Sequence, residues 1–299
     1  MSINLDSILN AYRSNVVDWF INYGVQKYSS FANIPPELRP LSTQIKSFGI
    51  KTNNITVTGA TSILPDVTIP LTGIRTIISK TDSIINRGSN PIVKQFQFSQ
   101  AVTDTITTTR TEGIEYGASI EQSIGGSIVD LVDVSTKFQF STKVNYTNST
   151  AISITKTDTW TDSYTASVAP NTKGIASYLL QIGTFNTDID ADVLIQGNVT
   201  YELLGCFNPC LNQDLITLTV SIKDIINGIA PASIPGFNRA SFVLQPDGES
   251  FRYKGKVNVK GEIGIKTTIE YAEESLVTGV VSPPATIPGT SSPKTLLFS

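Results

Sequence analysis

Asp188, Asp190 and Asp192 alternate along one strand-like segment, and Asp158 and Asp162 stand four apart in another. Such carboxylates suggest a calcium site or the acid pair of a glycan hydrolase. Three carboxylates on one flat strand face do not close around an ion as a calcium loop does. Nothing raises the 158/162 pair above a solvated strand face. Cys206 and Cys210 flank Phe207-Asn208-Pro209. They read as two unlinked thiols or as a small local disulfide around the Asn-Pro turn. The chain has no histidine, so these cysteines make a poor metal site and the usual base for a Ser or Cys nucleophile is missing. The sequence therefore assigns no catalytic residue, no metal and no cofactor.

The most regular spacing in the chain lies between residues 112 and 146. Ile114, Tyr116, Ala118, Ile120 and Ile124 share one parity, and so do Val134, Phe138, Phe140 and Val144. The other parity carries Glu115, Glu121, Lys137 and Lys143 among Ser, Gln and Asn. Successive strand residues point to opposite faces, so each arm has one mainly apolar and one polar face. An antiparallel register that sets Glu121 against Lys137, Glu115 against Lys143, Ile120 against Phe138 and Ala118 against Phe140 satisfies both faces. It also sets Ile114 against Val144 and Ile124 against Val134. The expected tip, 125–133, carries Ile128, Val129, Leu131 and Val132 beside Asp130 and Asp133, an apolar content unusual for a loop. Arms of this length match a tilted transmembrane strand. One hairpin leaves unpaired edges in lipid, but hairpins from a ring of subunits close into a barrel. The first parity is then the membrane-inserting face and Glu115, Glu121, Lys137 and Lys143 line the lumen. Gln122 and Thr136 interrupt the apolar face. The competing reading is an ordinary half-buried hairpin on a sandwich.

The elements that must position this hairpin read as strands. The chain has 299 residues, 40% of them hydrophobic and only 16% charged. Ser and Thr make up about a fifth of the residues, which suits solvated strand faces. Net charge is −3, which gives no basic balance toward nucleic acid. One helix is expected at 4–23, where Leu5, Ile8, Leu9, Tyr12, Val16, Trp19, Phe20 and Tyr23 recur at helical spacing. Asn4 or Asp6 would cap it and Gly24 would end it. Beyond it, Tyr23, Tyr28 and Phe31 form an aromatic cluster with a receptor-facing reading. Segments 93–111 and 146–168 are long polar ribbons, further strands follow at 175–182, 193–204, 251–259 and 263–271, and 205–250 looks looser. The N-terminus has no basic region followed by an apolar one, so no secretory signal peptide is expected. No run of about 18 apolar residues marks a transmembrane helix.

The Thr-rich lead-in Phe98-Ser99-Gln100-Ala101-Val102-Thr103-Asp104-Thr105-Ile106-Thr107-Thr108-Thr109 resembles the start of the pore-forming region in the epsilon-toxin and mosquitocidal-toxin branch of the aerolysin-like toxins. The order that follows is similar too: an amphipathic hairpin, a second Thr/Ser ribbon, then Val168-Ala169-Pro170-Asn171-Thr172. Asp247 through Val257 resembles that family's closing glycine-punctuated strand. The resemblance covers roughly 90–275. It implies an all-β, elongated architecture of long antiparallel strands with an N-terminal helix and a C-terminal β-sandwich. It implies a receptor-binding region at 1–90 plus 205–245 and a central pore-forming region at 91–168. A sandwich with a removable tail is expected at 169–204 plus 246–299. The implied activity is receptor binding, proteolytic activation, homo-oligomerisation and barrel insertion. The implied partners are a target-cell membrane and a surface receptor, whether glycan, lipid or protein. The implied location is a parasporal inclusion or the extracellular space. A non-toxic storage or lectin-like binding protein of the same fold is the alternative.

Overall fold

The structure, a computed structural model, describes the chain except residues 1, 60–66, 116–120, 130–136, 146–149, 208–211, 230–233, 290–294 and 298–299. In chain order, β1 (Ser2–Asn4) precedes helices α1 (Leu5–Ala11), α2 (Arg13–Lys27) and α3 (Ser29–Ala32). Then come β2 (Thr43–Gly59), β3 (Val67–Pro70), β4 (Arg75–Asn86) and β5 (Ile92–Glu115). The hairpin strands are β6 (Glu121–Val129) and β7 (Lys137–Asn145). They are followed by β8 (Ile152–Val168), β9 (Thr172–Asp190), β10 (Val193–Phe207), β11 (Asn212–Ser221) and helix α4 (Ile222–Gly228). The chain closes with β12 (Phe242–Leu244), β13 (Phe251–Tyr253), β14 (Lys256–Ser275), β15 (Ala285–Pro288) and β16 (Thr295–Leu297).

The long Thr- and Val-rich segments pair over most of their length. β5 and β8 run antiparallel from Ile92↔Val168 to Thr108↔Ile152. β9 pairs with both β14 and β4. β14 pairs with β5 only over residues 256–262, and then its edge passes to β15. Asp104 sits at this fork, fully buried, and its carboxylate accepts the Gly264 amide at 2.8 Å. Beyond the fork the β5–β8 ribbon lies over β9 and β14. Phe96, Phe98 and Ala166 meet Ala176, Tyr178 and Ile269 there in a buried cluster. Phe98 and Tyr178 stack with ring centroids 5.2 Å apart. Burying each such ring is worth roughly 1.5–3 kcal/mol.

The helices cover a second sheet, in which β10 lies between β2 on one edge and β11 with β13 on the other. Val16, Phe20 and Phe31 pack with Tyr201, Leu203 and Phe207 in one core. The expected single helix is instead two, divided at Tyr12, and the second runs on to Lys27. Asn4 does cap the first, accepting the Asp6 amide at 2.7 Å. Gly24 does not end the helix. It is buried within α2, and any Cβ there would collide with the Phe207 ring. Close packing of helix on sheet, not chain reversal, explains this glycine. The segment that looked loose, 205–250, contains β11 and α4, whose Ile222, Ile225 and Ile226 are buried.

Candidate membrane-inserting hairpin

β6 and β7 form an antiparallel hairpin, in a register that differs from the expected one. Glu121 pairs with Asn145 and not with Lys137, and Lys137 pairs with Val129. Phe138 faces Ile128, Phe140 faces Gly126, Val144 faces Gln122 and Ile124 faces Thr142. Each partner lies eight positions further along than expected. An even slip keeps every residue on its face while changing its neighbour. The expected charge pairs therefore fail, and so does the expected loop at 125–133. Ile128 and Val129 are the last paired residues of β6, and Ile128 is fully buried.

Ile114 and Val144 are buried like Ile128, so three residues of the apolar parity face the core. They share one cluster with Ile106, Phe185 and Ile189 of the long sheet. Gln139, of the other parity, is exposed, but Ser127 departs from the pattern and is buried. Ile124, Phe138 and Phe140 take their places in the two strands. Tyr116, Ala118, Ile120, Leu131, Val132 and Val134 lie outside the described residues.

Three short strands cover this region, and all three pair in parallel. β1 lies against Gly113–Glu115, β3 against Gly126–Val129, and β16 against Gln139–Ser141. Every other strand pair among the described residues is antiparallel. β3 and β16 thus occupy the two outer edges of the hairpin. Unpaired strand edges in an exposed hairpin invite association with other strands. At the root, Arg110 is 3% exposed and folds over Gly113. Its Nη1 donates to the Ile114 carbonyl at 2.6 Å and its Nη2 to Glu115 at 3.5 Å. Burial lowers the Arg110 pKa from its ordinary value, and the Glu115 charge opposes that. The polar Thr-Arg-Thr-Glu run around position 110 gave no sign that its arginine would be buried.

The aromatic residues after the helix do not form one exposed patch. Phe31 is fully buried, 5.0 Å from the Phe207 ring, which corrects the expectation that it faces outward. Tyr23 and Tyr28 are half-buried. Tyr28 donates to Asp214 at 2.6 Å, and Lys27 donates to Asp214 and to the Tyr23 hydroxyl. Burial pushes the Asp214 carboxyl up, but hydrogen bonds from Tyr28 and Lys27 outweigh this and hold it below its ordinary value. Asp214 is a partner that no sequence pattern marked, since it comes from 186 residues away.

The strand carboxylates Asp158, Asp162, Asp188 and Asp192 each have partners of their own. Asp188 accepts from Asn258 at 2.9 Å, and Asp192 accepts the Gly255 amide at 3.2 Å. Asp158 lies 3.6 Å from Lys156, while Asp162 accepts from Tyr178 and Thr267. Among the described residues no three acids, cysteines or histidines gather as a metal site would require. Cys206 is disulfide-bonded, which overturns the unlinked alternative, and Cys210 lies outside the described residues. No helix among the described residues is long and apolar enough to cross a membrane.

Comparison with known proteins follows the same lines. The profile of the Clostridium epsilon toxin ETX/Bacillus mosquitocidal toxin MTX2 family matches residues 11–280. No curated protein sequence matches the chain. Among solved structures, the binary protein complex of Cry23Aa1 and Cry37Aa1 contains a chain with a TM-score of 0.60 and 23% identity, each chain covered to 98%. A non-toxic crystal protein from Bacillus thuringiensis has a TM-score of 0.62 and 19% identity, covering 92% of this chain and 98% of that one.

Proposed function

We propose that this chain, which belongs to the Clostridium epsilon toxin ETX/Bacillus mosquitocidal toxin MTX2 family, is a protease-activated pore former. It binds a cell-surface receptor, assembles with copies of itself, and inserts one hairpin per subunit into a common β-barrel. The observation that carries this reading is the hairpin itself. Its apolar parity is buried against the body at Ile114, Ile128 and Val144, and its edges are covered by short strands. Nine-residue arms suffice for a tilted transmembrane strand. The apolar parity would exchange the protein core for lipid, and the other parity would meet water.

Activation follows from the covers. β1 lies on the root at Gly113–Glu115 and β16 on the outer edge of β7, so cleavage that removes β1 frees the root and cleavage that removes β16 frees a hairpin edge. Arg252, Lys256, Lys260 and Lys266 stand in paired strands. Limited trypsin digestion should trim the ends and leave a core containing 90–270. The route to the membrane would start from a parasporal inclusion or from protein released outside the cell, and Tyr23 and Tyr28 are the aromatic residues left partly open to a receptor.

The deciding experiment is dye release from receptor-bearing cells and from liposomes after trypsin treatment. A variant whose hairpin is tied to the body should bind cells and release nothing. Release by the tied variant would remove the hairpin from the mechanism. A second reading is a non-toxic crystal protein, favoured by the likeness to the Bacillus thuringiensis protein described in those words. It predicts no release by any form of the chain.

A further inference from the structure

We propose that residues 71–73 are a latch that holds the hairpin on the long sheet, and that this latch must leave β9 before the hairpin can move. The inference rests on the pore-forming reading above. β3 continues directly into this segment, and the segment is bonded on both sides. Toward the hairpin, the Leu71 amide donates to the Val129 carbonyl at 2.9 Å and extends the β3–β6 ladder. Toward the body, the Thr72 and Gly73 amides donate to the Thr184 carbonyl at 2.8 and 3.5 Å. The Thr72 hydroxyl donates to the same oxygen at 3.2 Å.

The two seams differ in kind. The hairpin seam is a ladder spread over four residue pairs. The body seam converges on one residue, since the Thr184 hydroxyl also donates to the Gly73 carbonyl at 3.5 Å, so it is made or lost as a unit. Its fit depends on a glycine beneath it. A Cβ at Gly183 would stand 2.8 Å from Leu71 Cδ2 and 2.9 Å from Ile265 Cδ1. A bare backbone there leaves room for Leu71, 6% exposed, to lie flat on β9. A swing of the hairpin away from the sheet draws the segment with it through the longer seam, so the seam on Thr184 opens first. Trimming the chain ends leaves this segment in place. The latch therefore remains the restraint after proteolysis.

A reversible lock tests this. A Cβ built at Gly73 stands 3.7 Å from Thr184 Cβ, inside the range of about 3.5–4.5 Å that a disulfide spans. The Gly73→Cys/Thr184→Cys variant ties the segment to β9 without touching the hairpin. After trypsin treatment, the oxidised variant should release dye at least about tenfold more slowly than the reduced one, a difference worth about 1.4 kcal/mol. Cell binding should be equal in both states. Wild type with and without reductant controls for the Cys206 disulfide. Amide hydrogen exchange supplies a readout without pores. Residues 126–129 should exchange more slowly in the oxidised form, and about tenfold or more faster in Leu71→Ala, which empties the seat on Gly183. Equal dye release by both redox states, with wild type active, overturns the latch. If wild type releases no dye, the pore reading fails, and unchanged exchange at 126–129 then overturns the latch as well.

Discussion

Lys137 should set the ion preference of the pore. In the observed register the polar parity places Glu121 on the rung with Asn145, Lys143 opposite Ser123, and Lys137 opposite Val129. Strands rise about 3.3 Å per residue. The Lys143 rung is thus about 7 Å from the Glu121 rung, within the Debye length of about 10 Å at 0.1 M salt. These two charges offset each other. The Lys137 rung is roughly 26 Å from Glu121 and about 20 Å from Lys143, so it acts alone. An anion about 10 Å from one lysine gains about 0.4 kcal/mol in water, and roughly 0.15 kcal/mol after screening over one Debye length. A ring of several lysines brings this to about 1 kcal/mol in favour of chloride and as much against potassium, a difference of about 2 kcal/mol or roughly 30-fold preference for chloride over potassium. Reversal potentials in planar bilayers under a potassium chloride gradient measure it. Wild type should favour chloride, Lys137→Gln should lose the preference, and Lys137→Glu should invert it. A cation-selective wild type, or a Lys137→Gln pore with an unchanged reversal potential, would refute the register or the face assignment.

Two further predictions concern the frame. Asp162 accepts from Tyr178 at 2.7 Å and from Thr267 at 2.6 Å, and both donors are buried. Asp162→Ala should cost about 2–6 kcal/mol, since each stranded buried donor costs about 1–3. Asp162→Asn keeps an acceptor and should cost about 1 kcal/mol; urea unfolding that finds the Ala variant as stable as wild type would refute this bond's role. Asp214, held below its ordinary pKa by Tyr28 and Lys27, contributes stability that is fully present above the unfolded carboxylate value of about 4 and is lost as pH falls through the lower folded value. Asp214→Asn should therefore be less stable than wild type at pH 7 by about 1 kcal/mol, after discounting for partial exposure. The gap should close on acidification below about pH 4, and a gap independent of pH would show that the ion contributes nothing.

Much of the β architecture is legible in the chain because strand character is local. Alternating Thr, Val and Ile mark a strand whatever it pairs with, and the long ribbons at 92–115 and 152–168 are where that alternation is most sustained. The helix was legible for the same reason, but its break at Tyr12 and its passage through Gly24 were not. Gly24 reads as a stop until Phe207 is set against it. Phe31 reads as a free aromatic until the same ring covers it. Asp214, Asp104 and Arg110 owe their surroundings to residues brought close by folding.

The hairpin separates the two kinds of information most clearly. Alternation with a period of two assigned 114 and 144 to one face, and they are buried together with Ile128, which was expected in the tip. That assignment survives any even slip, so sequence pattern alone could not distinguish the expected register from the observed one. The choice fell to distant segments. β3 sits on one edge and β16 on the other, in pairings whose partners are 59 and 156 positions apart at Val67↔Gly126 and Thr295↔Gln139. Three- and four-residue strands carry too little pattern to be read as strands by themselves. Their backbone groups are satisfied only once the hairpin lies beside them, which makes the covering of the hairpin a property of the fold.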